Sequence, residues 1–546
     1  MADSDHDRGG VIMNGFRLVA AILLILGAQS AVAQPQAGLA PSMGVAAAPR
    51  LHFTPAEMAL AQAAAAHPDL AAYYGTHGLG PIFMGPRAAQ RREALLHAVA
   101  TAPAHGIPAG RYPGAALAGD ARDIRAEVGQ ARILARYLRD MTGGVVRPAS
   151  IDPLIKREVR RPPIDRLIRD FTQAPDPRRF LLDLQPRHPA YLALQRALSG
   201  GESLAVPAGL PRAPEGMWRV GARGEGVLPL RARLDSIGFA APATDPQAYD
   251  AALADAVARY QAAAGLPPDG VAGPKTIRHL NGDVPEDSRS RAIVVALERM
   301  RWMGGEDLDA RHVWVNIPEY AARIMEGGAQ VFSTRVVVGS TERDRQTPEF
   351  SDQIEYVVAN PRWNVPRSIT VKEYLPKLQA NRHAVSHLDV VDGNGNVIGR
   401  DRIDFGRYTA ANFPYRMRQK ASDDNALGLV KFIFPNPWNI YLHDTPTKHL
   451  FGNAMRAHSH GCIRIGDPFD LAHALLSVQA ADPQAMFRRA LDRGKETWLK
   501  LTPPVPVHLV YFTAFPDADG TIRRFEDVYG RDAVLYDAIQ KAGLDS

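Results

Sequence analysis

The chain has 546 residues, of which 46% are hydrophobic and 22% are charged, and its formal net charge is +6. This composition is typical of globular proteins and excludes a disordered or collagen-like chain, while the length predicts about three or four domains. Because Lys and Arg are spread along the chain and form no long basic block, the positive charge alone does not indicate nucleic-acid or membrane binding.

Residues 1–33 are predicted to be a leader with a secretory signal. The apolar run Leu18–Leu26 follows a basic residue and is followed by an A-x-A sequence at residues 31–33. A positive start, an apolar core too short to span a bilayer comfortably and an A-x-A ending are typical of a cleavable signal. An uncleaved N-terminal anchor is the alternative. We expect an exported, periplasmic and wall-associated protein.

Residues 34–211 are predicted to be a helical scaffold domain. The sequence Thr54-Pro55-Ala56-Glu57 combines a capping threonine, a first-turn proline and an acid, which indicates a helix start. Apolar residues three and four apart recur in Ile124–Met141 and in Tyr191–Leu198. Because no reactive side chains converge here, we predict no catalytic role for this domain.

Residues 212–283 are predicted to be a small three-helix module. Helical stretches over Leu228–Ile237 and Tyr249–Ala264 precede a glycine-rich turn, in which Asp-Gly favours a tight turn with positive φ. The residues of the motif are Ala256, Val257, Tyr260, Gln261, Gly265, Leu266, Asp269, Gly270, Val271, Gly273 and Thr276. This motif resembles the type 1 peptidoglycan-binding module, which implies glycan binding. A spacer with the same fold is the alternative.

Residues 289–500 are predicted to be a β-rich domain. Its strand-like runs, bounded by Gly, Pro and Asn, are His312–Ile317, Val331–Val338 and Ile354–Val358. Residues 371–424 interrupt the strands with mixed helix and loop, and we predict that they form an inserted lid over the site. Residues 501–546 are predicted to add C-terminal strands and a tail, with a hairpin across residues 507–525. The predicted fold class is therefore multidomain α + β.

Cys462 is the single cysteine of the chain. In an exported protein structural cysteines usually come in pairs, so a lone thiol is either buried and inert or reactive. It stands in the sequence Ser459-His460-Gly461-Cys462-Ile463-Arg464, and His443 lies upstream of it. An imidazole within hydrogen-bond reach can take the proton of a thiol, and a glycine permits a turn whose amides face an oxyanion. We predict Cys462 as nucleophile and His443 as its base.

This pattern resembles the signature of the L,D-transpeptidase (YkuD-type) catalytic domain, in which a His and a spacer of similar length precede S/T-H-G-C-x-R. The large multidomain members of that family resemble most of the chain. The resemblance implies an oxyanion hole formed by amides around His460, Gly461 and Cys462. It also implies that a backbone carbonyl near Ser459 or His460 orients the imidazole. Asp444 is a poor candidate for that role, because its side chain should point to the opposite face of the strand from His443.

Four further side chains complete the predicted site. Arg464 is predicted to brace the loop or to meet a substrate carboxylate. Tyr441 should share a strand face with His443. Trp438 and Trp363 lie in stretches that resemble the same regions of the family, and all three aromatic residues are predicted to bind substrate, although core packing is the alternative for Trp438 and Tyr441.

The resemblance implies peptidoglycan as the partner, with no nucleic acid and no cofactor. A tetrapeptide stem would acylate the cysteine and release D-alanine, and the amine of a second stem would resolve the thioester as a 3→3 cross-link. Carbapenem-type inhibitors are expected to react with the same thiol. The sequence leaves the acceptor open, so hydrolysis, D-amino-acid exchange and lipoprotein anchoring are alternatives, as is a wall-binding protein without activity. The oligomeric state is not indicated.

A zinc site is the rival interpretation of the same region. His443, His449, His458 and His460 lie close in sequence to Cys462, and ligands of these types bind zinc. The H-E-x-x-H and C-x-x-C spacings are absent, and a Gly-Cys turn suits a nucleophile better than a ligand. We therefore predict no metal.

Overall fold

The computed structural model describes residues 52–117, 121–200, 206, 209–264, 266, 268–283 and 287–544. The predicted leader over residues 1–33 and the motif residue Gly265 lie outside the described residues. Thr54–Ser546 form one unit, in which helices come first and a large sheet comes last. This order confirms the predicted fold class, multidomain α + β. Within the described ranges, no helix has both the length and the apolar character needed to cross a membrane.

The scaffold is mostly helical. Its helices are Pro55–Ala64, Pro68–Thr76, Ala88–Thr101, Ile124–Gly143, Pro148–Ile151, Ile164–Gln173, Pro177–Leu182 and Pro189–Gly200. The first helix begins as predicted, because the Thr54 hydroxyl accepts a hydrogen bond from the Glu57 amide and the Glu57 carboxylate accepts one from the Thr54 amide. The central helix, Ile124–Gly143, buries Leu134 and Leu138 completely in the scaffold core.

One scaffold segment is extended rather than helical. Ile155 forms a parallel bridge with Glu349 of the sheet domain. The Lys156 amide donates to the Glu349 carbonyl at 2.8 Å, and the Glu349 amide donates to the Leu154 carbonyl at 2.9 Å. We call residues 152–158 the scaffold strap, because they tie the scaffold to the sheet domain through the backbone.

The small module contains the helices Val227–Ser236, Ala251–Ala264 and Pro274–Leu280 around a core of its own. Buried Gln261 organises the turn that follows its helix: its amide group donates to Asp269 Oδ1 at 2.9 Å and to Thr276 Oγ1 at 3.1 Å, and accepts from the Gly270 amide. Gly270 has φ +68°, and a Cβ there would lie 2.9 Å from the Ala254 carbonyl oxygen. These motif residues are therefore explained by the fold of the module.

The β-rich domain is built on a nine-stranded sheet. In chain order the strands of the protein are β1 (His312–Asn316), β2 (Ala321–Glu326), β3 (Ala329–Gly339), β4 (Phe350–Ala359), β5 (Trp363–Asn364), β6 (Leu388–Val391), β7 (Arg416–Gln419), β8 (Val430–Ile433), β9 (Leu442–His443), β10 (Ala457–Ser459), β11 (Ile463–Ile465), β12 (Thr497–Val510), β13 (Ala514–Pro516) and β14 (Ile522–Arg524). The large sheet has the order β10-β3-β11-β9-β8-β4-β12-β1-β2 and closes on itself because β2 also pairs with β3. Inward-facing side chains such as Val313, Ile354 and Leu442 are fully buried.

Four helices pack against this sheet or join it to the scaffold: Asp287–Trp302, Pro468–Leu476, Pro483–Leu491 and Arg531–Leu544. The predicted domain boundary between residues 500 and 501 is wrong, because it falls inside β12, a strand of the large sheet. The predicted C-terminal hairpin is present but shorter. It pairs β13 with β14, whereas residues 507–510 belong to β12.

The inserted lid is a folded subdomain. Its three-stranded sheet has the order β5-β7-β6, and the helices Arg367–Ile369 and Leu375–Ala380 flank a π-helical turn over Thr370–Tyr374. Leu378, Leu388 and Met417 lie in a hydrophobic core separate from that of the large sheet. Because β5 belongs to this sheet, the subdomain begins before residue 371, where the sequence placed the start of the insertion.

A buried charge cluster joins the helix Asp287–Trp302, the sheet domain and the C-terminal helix. Arg531 donates to Glu349 at 2.9 Å, and both side chains are nearly inaccessible to solvent. Arg299 lies 3.6 Å from Glu349 and donates to Asp532 at 2.6 Å. Buried ions of this kind are tolerated only when they are paired, so each side chain of the cluster depends on the others.

Candidate active site

Strands β9 and β11 lie side by side and parallel, with His443 opposite Arg464. The Ile463 amide donates to the Tyr441 carbonyl at 3.1 Å, which continues the register to Tyr441 and Cys462. Because alternate residues of a strand point to one face, these four side chains share the face opposite the buried core. All four line a cleft of about 1670 Å³ between the large sheet and the lid.

The turn before Cys462 is held by two hydroxyl groups. Gly461 has φ +112°, a conformation that favours glycine. The Ser459 hydroxyl donates to the Cys462 carbonyl at 2.5 Å and accepts from the Gly461 amide at 3.1 Å, while Thr347 donates to the Gly461 carbonyl at 2.8 Å. The Gly461 amide has the Ser459 hydroxyl as its acceptor in this conformation, and its place in the oxyanion hole stays a prediction. The amides of His460 and Cys462 are the other candidates.

His443 is buried, and its Nδ1 contacts the Asp444 carbonyl oxygen. The carbonyl that orients the imidazole is therefore that of Asp444, and the expected one near Ser459 or His460 was wrong. The Asp444 carboxylate points elsewhere, to the Lys448 ammonium at 2.5 Å. Since a carbonyl can only accept, Nδ1 carries the proton and Nε2 is left as a base. Burial, reinforced by the charge of Arg464, lowers the pKa of His443 to about 3.

Cys462 is partly exposed and lines the cleft. Burial raises the pKa of Cys462 to about 11, while hydrogen bonds from Tyr441 and the charge of Arg464 act in the opposite direction. Among the described residues, its Sγ donates to the Asn439 carbonyl at 3.5 Å, not to His443. Hydrogen bonds between a nucleophile and its base often tighten only when substrate binds.

The other predicted site residues also reach the cleft. Arg464 donates to Thr447 Oγ1 at 2.9 Å, and its Nε is buried without a hydrogen bond to the described residues. Trp363 of the lid lines the cleft; burial raises the pKa of the Tyr441 phenol, and the N–H of Trp363 acts in the opposite direction. Trp438 lines the cleft and packs on Phe350, with ring centroids 4.7 Å apart.

The His460 side chain joins the turn over residues 459–462 to the lid. Its Nε2 lies 2.7 Å from Glu373 Oε1, which also accepts from Arg345 at 3.1 Å. Glu373 was not predicted, since it stands in the π-helical turn of the lid and that distortion has no signal in the sequence. The other histidines of the region lie apart: His458 is exposed and contacts the Met455 carbonyl at 3.0 Å. In the described part of the chain, no group of three His, Cys, Asp or Glu side chains is arranged to hold a metal ion.

Family comparisons match three parts of the chain. Residues 310–501 match the "L,D-transpeptidase catalytic domain", residues 68–198 match the "Scaffold domain", and residues 223–280 match the "Putative peptidoglycan binding domain". Residues 310–501 are therefore similar to an L,D-transpeptidase catalytic domain. The predicted resemblance to that domain and to the peptidoglycan-binding module is thereby confirmed.

A curated relative and two solved structures are similar to the chain. A Haemophilus influenzae protein described as "Putative L,D-transpeptidase" is 36% identical over 222 residues, covering 40% of this chain. The chain spans less than half of that relative, 44% of its length. The crystal structure of an L,D-transpeptidase from Xylanimonas cellulosilytica is 16% identical with a TM-score of 0.17, and the match covers 55% of this chain and 100% of that chain. The crystal structure of an L,D-transpeptidase from Stackebrandtia nassauensis is 14% identical with a TM-score of 0.19, and the match covers 55% of this chain and 96% of that chain.

The scaffold also reaches the cleft of the sheet domain, which the sequence did not predict. Leu154 and Lys156 of the scaffold strap lie in the cleft wall. The sequence does contain a signal for this extended segment, namely a short alternation between Pro153 and Pro162. Ile155 and Arg157 are buried, and Lys156 between them lines the cleft. A helical pattern on both sides obscured this alternation.

The two pKa values predict that acylation of Cys462 is nearly independent of pH between about 5 and 9. Because the pKa of His443 is lowered to about 3, the imidazole stays neutral and able to accept a proton through the acid range. Because the pKa of the thiol is raised to about 11, Cys462 stays protonated through the neutral range. The second-order rate of acylation by a carbapenem, followed by intact mass at each pH, measures this. A loss of rate with a midpoint near 6.5, the ordinary pKa of histidine, would contradict it.

Proposed function

We propose that the protein is a peptidoglycan L,D-transpeptidase with Cys462 as nucleophile and His443 as base. The observation that carries the proposal is the placement of both side chains on one face of adjacent strands, in a single cleft. The family match over residues 310–501 supports the reaction class. The neutral thiol and neutral imidazole fit a step in which the proton leaves as the sulfur attacks.

In the first half-reaction, Sγ of Cys462 attacks the carbonyl that precedes the D-alanine of a tetrapeptide stem, and Nε2 of His443 takes the thiol proton. The amides of His460 and Cys462 would stabilise the oxyanion, an effect typically of about 2.7–4 kcal/mol per donor. When the tetrahedral intermediate collapses, the C–N bond breaks and His443 returns the proton to the leaving amine. The products are free D-alanine and a thioester on Cys462.

In the second half-reaction, the side-chain amine of another stem attacks the thioester. His443 takes a proton from the amine and returns it to the departing sulfur, so that an amide bond forms and the thiol is regenerated. A cleft of about 1670 Å³ exceeds the roughly 300–1000 Å³ of ordinary ligand pockets, which supports the simultaneous approach of two peptide chains.

Product analysis tests this function. The full chain is incubated with a defined tetrapeptide stem that carries a diamino acid at its third position, and the products are identified by mass spectrometry. We expect a dimer that is lighter than two stems by one D-alanine. A shortened tripeptide without dimer would instead show hydrolysis, and exchange of the last residue when D-amino acids are added would show D-amino-acid exchange.

The module over residues 223–280 is proposed to hold the enzyme on the wall. Deletion of residues 212–283 from the full chain should weaken co-sedimentation with purified sacculi, because this region supplies a separate folded surface with its own core. The rate of Cys462 alkylation serves as the control for an intact catalytic domain. Unchanged co-sedimentation with normal alkylation would show that the module is a spacer.

Export to the periplasm is proposed from the apolar segment Leu18–Leu26 and the A-x-A sequence that follows it. Peptidoglycan as substrate requires that location in a bacterium with an outer membrane. Expression of the full chain with a C-terminal tag, followed by fractionation and N-terminal sequencing, should give a periplasmic product that begins at Gln34. Recovery of the uncut chain in the cytoplasm would refute it.

A further inference from the structure

The scaffold strap places a lysine in the wall of the catalytic cleft. Lys156 belongs to the scaffold by sequence, yet it lines the same cleft as Cys462. Its own backbone amide is the one that donates to the Glu349 carbonyl, at the point where the chain enters β4. The position of Lys156 is therefore set by backbone pairing with the sheet domain and not by a free loop.

Both neighbours of Lys156 fasten the strap to the sheet domain. Ile155 is fully buried. Arg157 is almost fully buried and donates to Ser351 Oγ at 2.7 Å and to the Leu509 carbonyl at 3.2 Å. Since alternate residues of an extended segment point to opposite sides, these anchors leave Lys156 directed outward into the cleft. A preorganised backbone lowers the entropy cost of using its charge for binding.

The ammonium of Lys156 lies near the ring of Trp438, and no acidic side chain of the described residues pairs with its charge. Its Nζ is 5.9 Å from the centroid of the Trp438 ring. It forms no ion pair with any residue that the structure describes. The ring attracts the ammonium but does not neutralise its charge, which therefore stays available for an anion.

The charges around the cleft also favour an anionic ligand. Two of the acids that line it, Asp344 and Glu373, are already paired with Lys372 at 2.7 Å and Arg345 at 3.1 Å. Asp424, on the lid side, is a third acid. The cations Arg362 and Arg416 line the cleft together with Lys156, and their guanidinium groups form no ion pair with the described residues. Excess positive charge in a cleft raises the local concentration of acidic ligands.

We infer that Lys156 is a specificity-determining residue that binds a carboxylate of the donor or acceptor stem peptide. The inference rests on the proposed function for the class of ligand. It adds to that function a substrate-binding residue from the scaffold, a domain for which the sequence predicts no catalytic role. A charge-assisted hydrogen bond from the ammonium to a carboxylate, beside the face of Trp438, is the interaction that it would make.

Equilibrium binding tests the inference without requiring turnover. The affinity of an acidic tetrapeptide stem is measured by calorimetry for the full chain carrying Cys462→Ala, with and without Lys156→Met. Methionine retains most of the apolar stem and removes the charge. We expect the dissociation constant to rise about three- to tenfold. The same comparison with a stem whose carboxylates are amidated should show no difference, and Lys156→Glu should weaken binding of the free acid further.

Arg160→Met is the matched control, because Arg160 is an exposed cation just beyond the strap and does not line the cleft. It should leave the affinity unchanged. An equal loss with free and amidated stems, or no loss with Lys156→Met, would overturn the inference. Failure of the proposed function is distinguishable, because it would appear as absence of turnover by the unmutated protein while the binding comparison still reports on Lys156.

Discussion

Replacement of Cys462 by alanine is expected to abolish acyl-enzyme formation and leave folding intact. Cys462 is the single cysteine of the chain, and it lines the cleft next to Tyr441. Its hydrogen bond to the Asn439 carbonyl is long, and a sulfur atom is a weak partner for Tyr441, so the loss of Sγ should change stability little. Intact mass after incubation with a carbapenem measures the adduct, and thermal unfolding measures the fold.

Cys462→Ser is the conservative companion of this variant. It retains a hydroxyl in the same place, yet serine is a much weaker nucleophile at its free pKa, so an adduct should form at least several hundredfold more slowly, roughly 3 kcal/mol in barrier height. A carbapenem adduct on Cys462→Ala at the rate of the unmutated protein would place the nucleophile elsewhere. Loss of the cooperative unfolding transition would mean that the alanine variant reports on folding rather than on chemistry.

Replacement of Arg531 by methionine is expected to destabilise the protein by about 3–5 kcal/mol. The substitution keeps a long apolar side chain but leaves the buried Glu349 carboxylate without its 2.9 Å partner. It also removes a 3.0 Å hydrogen bond to the Thr347 carbonyl. Because Thr347 holds the Gly461 carbonyl, we expect slower acylation of Cys462 as well. Urea unfolding followed by tryptophan fluorescence measures the stability.

Arg407→Met is the matched control for this prediction. Arg407 pairs with Asp404 at 3.0 Å, but its side chain is 82% exposed, and ion pairs on the surface contribute little to stability. The control should therefore unfold at the same urea concentration as the unmutated protein. If Arg531→Met also unfolded at that concentration, Glu349 would have to be stabilised without Arg531, for example by Arg299.

The parts of the site that the sequence predicts are those fixed by local pattern. Strand alternation is a property of neighbouring residues, so it correctly places Tyr441 on the face of His443, and Leu442 in the core. It also correctly turns the Asp444 side chain away from the imidazole. The glycine at position 461 marks a turn with positive φ for the same local reason.

The parts that the sequence does not predict depend on contacts between distant residues. Glu373 meets His460 across 87 positions of the chain, and Arg157 meets Ser351 across 194. The spacing of apolar and polar residues does not predict such pairs, because the residues next to each partner in sequence contain no information about the other partner. The competition of Ser459 for the Gly461 amide is different: it is local, but it depends on a hydroxyl rotamer that residue identity leaves free.

The scaffold strap and the buried charge cluster determine which segments of this protein must stay together for the sheet domain to fold. Glu349 lies within residues 310–501, but Arg299 and Arg531, which neutralise it, lie on either side of that range. The Glu349 backbone is likewise paired with the strap. A gene fragment encoding residues 310–501 alone would carry an unpaired buried acid and an open sheet edge. Shuffling of this segment between proteins should therefore succeed only when the flanking helices and the strap are transferred with it.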